Sequence, residues 1–416
     1  MVKKSGLYYG YWIMLAGFLG IAIQSGAGFY AFSLFIRPLQ AEFGWSRGGI
    51  SLAFTIWFLL MGLASPFIGR LIDRHGVKKI MFTGALVTGV GFVSLSLIQA
   101  LWHFYLSYAL LGVGMAALGQ VPASTMVSNW FKKRRGMSIG IMSTGLGVGG
   151  FALAPLVGGY LIPGFGWRVA YLSLAVIAWV VVIPVALFVA RTRPEDMGLR
   201  PIGWETAEAS PAAAQPADSG GLTLRMSLAT PAFWLIMAVF FLSQVSQVGA
   251  TQSQVPYLQD IGFPLALAAT ALGAVGLFSG FGKVIFGWLC DLIPPKRALA
   301  IGLSLQLTSV VALLAVTPES SMAPVWVYAV TMGLGMGSWL PTMSMLTSSN
   351  FGLAYYGAIF GVITLAQSTG SAIGPLMAGY MYDAMQTYHW AFVIFIGLSA
   401  VSIPAVLLVR RPRGQF

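Results

Sequence analysis

LALAATALGAVGLFSGFGKVIFGWLCD, residues 265–291, is an apolar run with one ionisable residue, Lys283, before Asp291 closes it. A helix needs about 20 apolar residues to cross a hydrocarbon core of roughly 30 Å, so this run is long enough to span a bilayer. An ammonium group at its centre costs roughly 2.5 to 3.5 kcal/mol and requires a partner or a water-filled cavity. Snorkelling offers no escape. Asp291 is eight residues on, about 12 Å along a helix, further than a four-carbon stem reaches. Lys283 therefore reads as a binding charge for an anion.

The rest of the chain agrees with a membrane setting. Of 416 residues, 57% are hydrophobic and 8% charged, against roughly a quarter charged in soluble domains. Twelve apolar runs lie between residues 10 and 409, each too long for a barrel strand. The expectation is an all-α integral membrane protein with twelve transmembrane helices. An even number puts both termini on one side. Of the 23 Lys and Arg, only Arg37, Arg47 and Arg168 fall in loops on the other side, and Lys283 lies within a span. The positive-inside rule then makes both termini cytoplasmic and explains the net charge of +12 without nucleic acid. The single Cys290 excludes an intramolecular disulfide.

Residues 191–230 form the one long polar segment, rich in Pro, Ala, Ser and acidic residues. They read as a cytoplasmic linker between an amino-terminal six-helix half, 1–190, and a carboxy-terminal one, 231–416. The halves look duplicated. Gly69 and Asp73 in GRLIDRHGVKK recur as Gly287 and Asp291 in GWLCDLIPPKR. Gly136, Gly140, Gly149 and Gly158 recur as Gly357, Gly361, Gly370 and Gly379 at one constant offset. Parallel repeats with a site at their interface are a transporter architecture.

GRLIDRHGVKK (69–79) resembles the loop signature of the major facilitator superfamily. NWFKKRRGMSIGIMSTGLGVGG (129–150), GWRVAY (166–171) and PEDMGLRP (194–201) resemble its monocarboxylate transporter and oxalate/formate antiporter branch. In that branch an arginine four residues before a glycine in the eighth span binds the substrate carboxylate, so the resemblance gives this role to Lys283 before Gly287. Lysine keeps the charge and loses the bidentate fork. The acidic residue that monocarboxylate carriers place four positions earlier is Ser279 here. The second cation that oxalate/formate carriers hold in the eleventh span is replaced by Gln367, which weakens a dicarboxylate specificity. The resemblance also implies that Gly69, Arg70, Asp73, Arg74 and Asp291 form contacts between the halves that favour the outward-facing state; ordinary helix termination is the alternative.

Gln244, Gln247, Thr251 and Gln254 recur at helical spacing on one face of the seventh span. They form either a hydrogen-bonding wall of the pathway or glue between helices. Gln24, Gln120 and Gln367 are single amides near mid-depth, Gln24 and Gln120 in spans that line the cavity in the superfamily, and either substrate contact or helix packing accounts for each. Tyr30 and Trp339 are candidate aromatic walls or gates. GLGVGG lies inside a span with no preceding strand and is no nucleotide loop. His75, His103 and His389 are scattered, so no metal site is expected, and with no nucleophile–base pair or nucleotide motif neither is an enzyme or a cofactor.

The reading is a secondary transporter of a small organic anion, a monocarboxylate, working by alternating access as a proton symporter or an anion exchanger. Its other partners are protons or a counter-anion and the lipid bilayer. The expected location is the prokaryotic inner (plasma) membrane, multi-pass. The alternatives are an exporter of amphipathic organic molecules and a transporter-like receptor that moves nothing.

Overall fold

The computed structural model describes residues 8–132, 135–202, 221–319, 321–352 and 355–411. The basic residues Lys3, Lys4, Lys133, Arg134 and Arg413, and the middle of the polar segment at 203–220, lie outside the described residues.

Helices dominate the described residues. α1 runs over Gly10–Phe43, and its α-helical geometry is interrupted by a π-turn at Gln24–Tyr30 and a 3-10 turn at Phe32–Phe35. α2 is Arg47–His75 and α3 is Val77–Ser96. α4 comprises Leu101–Ala116 and Gln120–Trp130, with the break at Gly119. α5 comprises Arg135–Ser143, Gly145–Pro155 and a π-turn at Leu156–Leu161, and α6 follows as Ile162–Pro184. Then come α7 (Pro231–Asp260), α8 (Leu265–Leu292), α9 (Pro295–Leu314), α10 (Ala323–Phe351), α11 (Tyr356–Met385) and α12 (His389–Leu407).

Among the described residues, ten helical stretches are long and apolar enough to cross a membrane. One of them, Met137–Val189, covers α5 and α6 together. Gly166 interrupts it with φ +81°, a left-handed backbone that glycine adopts without a Cβ penalty. α10 has the length of a span, but Gly, Ser, Thr and Pro in its second half dilute its hydropathy, and it falls outside those ten.

The first six helices pack mainly on one another, as do the last six, and the two groups meet along α2–α11 and α5–α8. The duplication read from the glycines has a packing counterpart. A Cβ at Gly149 would strike the Ala22 backbone of α1, and one at Gly370 would strike the Phe241 backbone of α7. Ala22 and Phe241 stand at nearly the same offset as the glycines that meet them. Absence of side chains lets these helices approach closely, the packing that associates helices where lipid removes the hydrophobic drive.

The described ends of the polar segment are tied down. Ile202 pairs with the end of α4, donating to the Trp130 carbonyl and accepting from Lys132, both at 3.0 Å. On the other side of the segment, Leu222 donates to the Phe351 carbonyl at 2.9 Å at the end of α10. The described chain ends, near Tyr8 and Val409, and the described parts of this segment lie at one end of the bundle, called the terminal end below; the far end carries the α1–α2, α7–α8 and α11–α12 connections.

Candidate functional site

Lys283 lies nine residues from the terminal end of α8. Its backbone is fixed by a crossing in which α10 presents glycine. A Cβ at Gly337 would meet the backbone of Gly282 and Lys283, and one at Gly333 would sit 2.6 Å from the Val275 carbonyl. α5 approaches the opposite side, where a Cβ at Gly276 would stand 2.8 Å from the Gly147 carbonyl. The cation is thus carried by a helix with little freedom to shift.

The half-buried Lys283 side chain donates to the Ser279 hydroxyl at 3.2 Å. It has no carboxylate partner among the described residues. The ion pairs among the described residues are Arg37–Asp260, Arg47–Asp260 and Arg168–Glu42, all at the far end. Ser279, at the position of an acidic residue in similar carriers, supplies a neutral acceptor and leaves the positive charge uncompensated. From α1, the Tyr30 hydroxyl interacts with the same Ser279 hydroxyl. Tyr30 is 3% exposed, its ring lying over Gly150 of α5 and edge-on to Phe29. Lys283, Ser279 and Tyr30 therefore form one polar cluster where α1, α5 and α8 converge. Beside it on α10 is the buried Tyr328, whose hydroxyl interacts with Thr251 of α7.

The other expected positions are dispersed. Gln24 opens the π-turn of α1, donates to the Met61 sulfur at 2.8 Å and packs over Gly119. Gln120 begins the second part of α4 and is exposed. Trp339 is half-buried against the cluster containing Met343, Leu346 and Ile363. The stripe on α7 is enclosed by neighbouring helices. Gln247 accepts from Gln306 of α9 at 2.9 Å, Gln244 accepts from Ser371 of α11 at 3.1 Å, and Gln254 donates to the Ala268 carbonyl of α8 at 3.5 Å. Gln367 donates to Ser371 at 3.5 Å in the same α7–α11 contact. In this conformation these amides join helices.

At the terminal end of α2, Arg70, Asp73 and Arg74 are exposed, and Gly69 has only the Val121 methyl within reach of an added Cβ, at 3.9 Å. Asp291 is exposed at the end of α8, and none of these four charged residues forms an ion pair with a described residue. The charged side-chain contacts between the two helix groups that sequence reasoning missed lie at the far end. There Arg47 and Asp260 pair, and Asp383 accepts from the start of α2. Their basic and acidic residues were legible only as loop charges, because the partners lie 213 and 336 residues away in sequence.

Helix packing with a central polar cluster between two helix groups is the arrangement of a multi-pass carrier. The Major Facilitator Superfamily profile matches residues 17–375. The chain belongs to that superfamily of transporters and is an integral multi-pass membrane protein.

Relatives run along nearly the whole chain. Monocarboxylate transporter 13 of Rattus norvegicus is 27% identical over 93% of this chain and 85% of its own length. Multidrug resistance protein MdtG of Dickeya zeae is 28% identical over 90% and 86%, and the Oxalate:formate antiporter of Oxalobacter formigenes 23% over 89% and 85%. Among solved structures, an inward-facing, unoccupied bacterial homologue of the human lysosomal transporter Spinster superposes with a TM-score of 0.74 at 18% identity, covering 97% of this chain and 95% of that one. The branch resemblance seen in the sequence is thus shared with named monocarboxylate and oxalate:formate carriers.

Proposed function

We propose that this transporter carries a small organic monoanion, a monocarboxylate, and that Lys283 neutralises its carboxylate at the centre of the bundle. The observation that carries this reading is a cation deep in α8 with a hydroxyl partner and no carboxylate. An uncompensated charge in a span is costly, and a bound anion offsets that cost. Tyr30 adds a hydroxyl donor beside the cation, and Gln24, Gln120 and Trp339, dispersed in this conformation, are the remaining candidate substrate contacts. Gln247, Gln254 and Gln367 hold the helices around them and reach substrate only in a rearranged state.

The bundle in this reading has twelve spans, counting α5 and α6 separately and including α10. They form two halves, 1–190 and 231–416, joined by 191–230, with both termini cytoplasmic in a plasma membrane. The halves rock about Lys283 to expose it alternately. Gly69, Arg70, Asp73, Arg74 and Asp291 come together when the terminal end closes. With no carboxylate near mid-span, exchange of one anion for another is the simplest cycle, and proton symport runs through Lys283 itself.

Counterflow in proteoliposomes with lactate, pyruvate, formate, acetate and oxalate tests the reading. Lys283→Ala should abolish counterflow of every carboxylate the native protein moves, and Lys283→Arg should retain part of it. Native-level counterflow in Lys283→Ala would remove the central claim. The name of the Dickeya zeae relative favours a second reading, export of amphipathic molecules. Transport of hydrophobic cations but no carboxylate in the same vesicles would select it.

A further inference from the structure

Two chemically different connections fasten the far end, and the first also draws in Arg37, 3.6 Å from Asp260. Arg47 opens α2 with only 2% of its surface exposed. Its guanidinium forms a fork with Asp260 at the end of α7, Nη1 to Oδ2 at 2.6 Å and Nη2 to Oδ1 at 2.7 Å. Nε donates to Gln40 at 3.0 Å, and the guanidinium lies 3.6 Å from the centre of the Tyr382 ring. Planar two-point pairing is the strongest geometry available to arginine and carboxylate.

The second connection makes no use of the Arg47 side chain. The first N–H groups of a helix have no partner within it and carry the positive end of its dipole. In α2, Ser46 accepts from Gly49 at 3.1 Å in the ordinary capping way. The amides of Arg47 and Gly48 instead donate to Asp383 Oδ1 and Oδ2, each at 2.8 Å. Asp383 belongs to α11, in the other helix group. Gly48 and Gly379 permit the approach. A Cβ at Gly48 would stand 2.8 Å from Asp383 Oδ2, and one at Gly379 2.8 Å from the Arg47 carbonyl.

We propose that Arg47–Asp260 and the Asp383 cap on α2 are two independent arms of one lock, and that the far end opens only when both let go. Opening strands two helix-terminal amides and an arginine together, so either arm alone holds the end largely shut. The lock rests on the alternating-access part of the proposed function and is indifferent to what is carried.

The test is a distance measured without substrate. In full-length protein with Cys290→Ser, spin labels at Gln99→Cys and Ser321→Cys, both exposed at the far end on different helix groups, report its opening by electron–electron double resonance in nanodiscs. Arg47→Ala keeps the backbone amide, so it should add only a minor long-distance population, as should Asp383→Ala. The double variant should make the long distance dominant. A native distribution in the double variant would overturn the proposal, and so would full opening by Arg47→Ala alone. If the double variant fails to fold, Asp260→Asn with Asp383→Asn weakens both arms at constant size and is read in the same way. Lys283 counterflow is scored separately, so failure of the lock leaves the anion site standing, and the converse holds.

Discussion

The two ends of the bundle are built from the same helices and differ in what those helices touch. Towards the far end, glycines on α2, α5, α8 and α11 are pressed against the opposite helix group: Gly48 on Tyr380, Gly273 on Pro155, Gly158 on Ala269 and Gly379 on Arg47. Towards the terminal end, Gly62, Gly140, Gly280, Gly287, Gly357 and Gly361 on the same four helices have nothing within 4 Å of an added Cβ. All ion pairs among the described residues lie at the far end. Glycines on the same four helices are packed at one end and open at the other. The described state is closed at the far end and open at the terminal end.

The largest effect should come from the α8–α10 crossing that carries Lys283. Gly337→Ala places a methyl in the backbone of Gly282 and Lys283, so it should collapse folded yield and thermal stability, read by size exclusion and a melting curve. Lys283→Ala should fold normally and lose carboxylate counterflow. That outcome would separate the cation from the scaffold that holds it. The lock variants come next, shifting the far-end distance with folding intact.

Gly280→Ala and Gly361→Ala test the comparison most directly. Each adds a methyl to open space inside a helix, so stability should rise by roughly 0.5 to 1 kcal/mol, the usual gain of alanine over glycine there. Transport should nonetheless slow, because closing the terminal end brings these surfaces together. Unchanged transport in both would break the inference that they meet. The smallest effect belongs to the paired amides. Gln247→Leu alone takes one of two acceptors from the Gln306 amide, which keeps the Gly335 carbonyl at 3.1 Å, and should cost about 1 kcal/mol, whereas Gln247→Leu with Gln306→Leu should cost less, since removing both partners is nearly neutral.

Much of this architecture was legible because membrane helices announce themselves by length and hydropathy. The polar segment at 191–230 lies between a π-turn over Val185–Val189 that follows α6 and the start of α7 at Pro231. Lys283 stood out because a charge in an apolar run has few innocent explanations. The α7 amides were visible as a stripe, but spacing on one helix gives a face and not the helix opposite it. Gln306 on α9 and Ser371 on α11 came only with the fold. The lock was hidden for a related reason: Arg47, Asp260 and Asp383 read locally as loop charges, and half of what Asp383 holds is backbone, which no side-chain pattern records.

The π-turn of α1 sets an angle. The Ala31 amide reaches back five residues to the Gly26 carbonyl at 3.0 Å instead of four, which accommodates one extra residue in the helix. A residue turns an α-helix by roughly 100°, so α1 before the turn and α1 after it present different faces for the same sequence count. Removing Gly26 would let the helix run on regularly and rotate everything beyond it. Tyr30 would swing off Ser279, and the Phe29 carbonyl would leave the Gln252 amide of α7 that now donates to it at 2.9 Å. One inserted residue thus sets the phase between a helix that packs within its own half and the same helix as it meets the other.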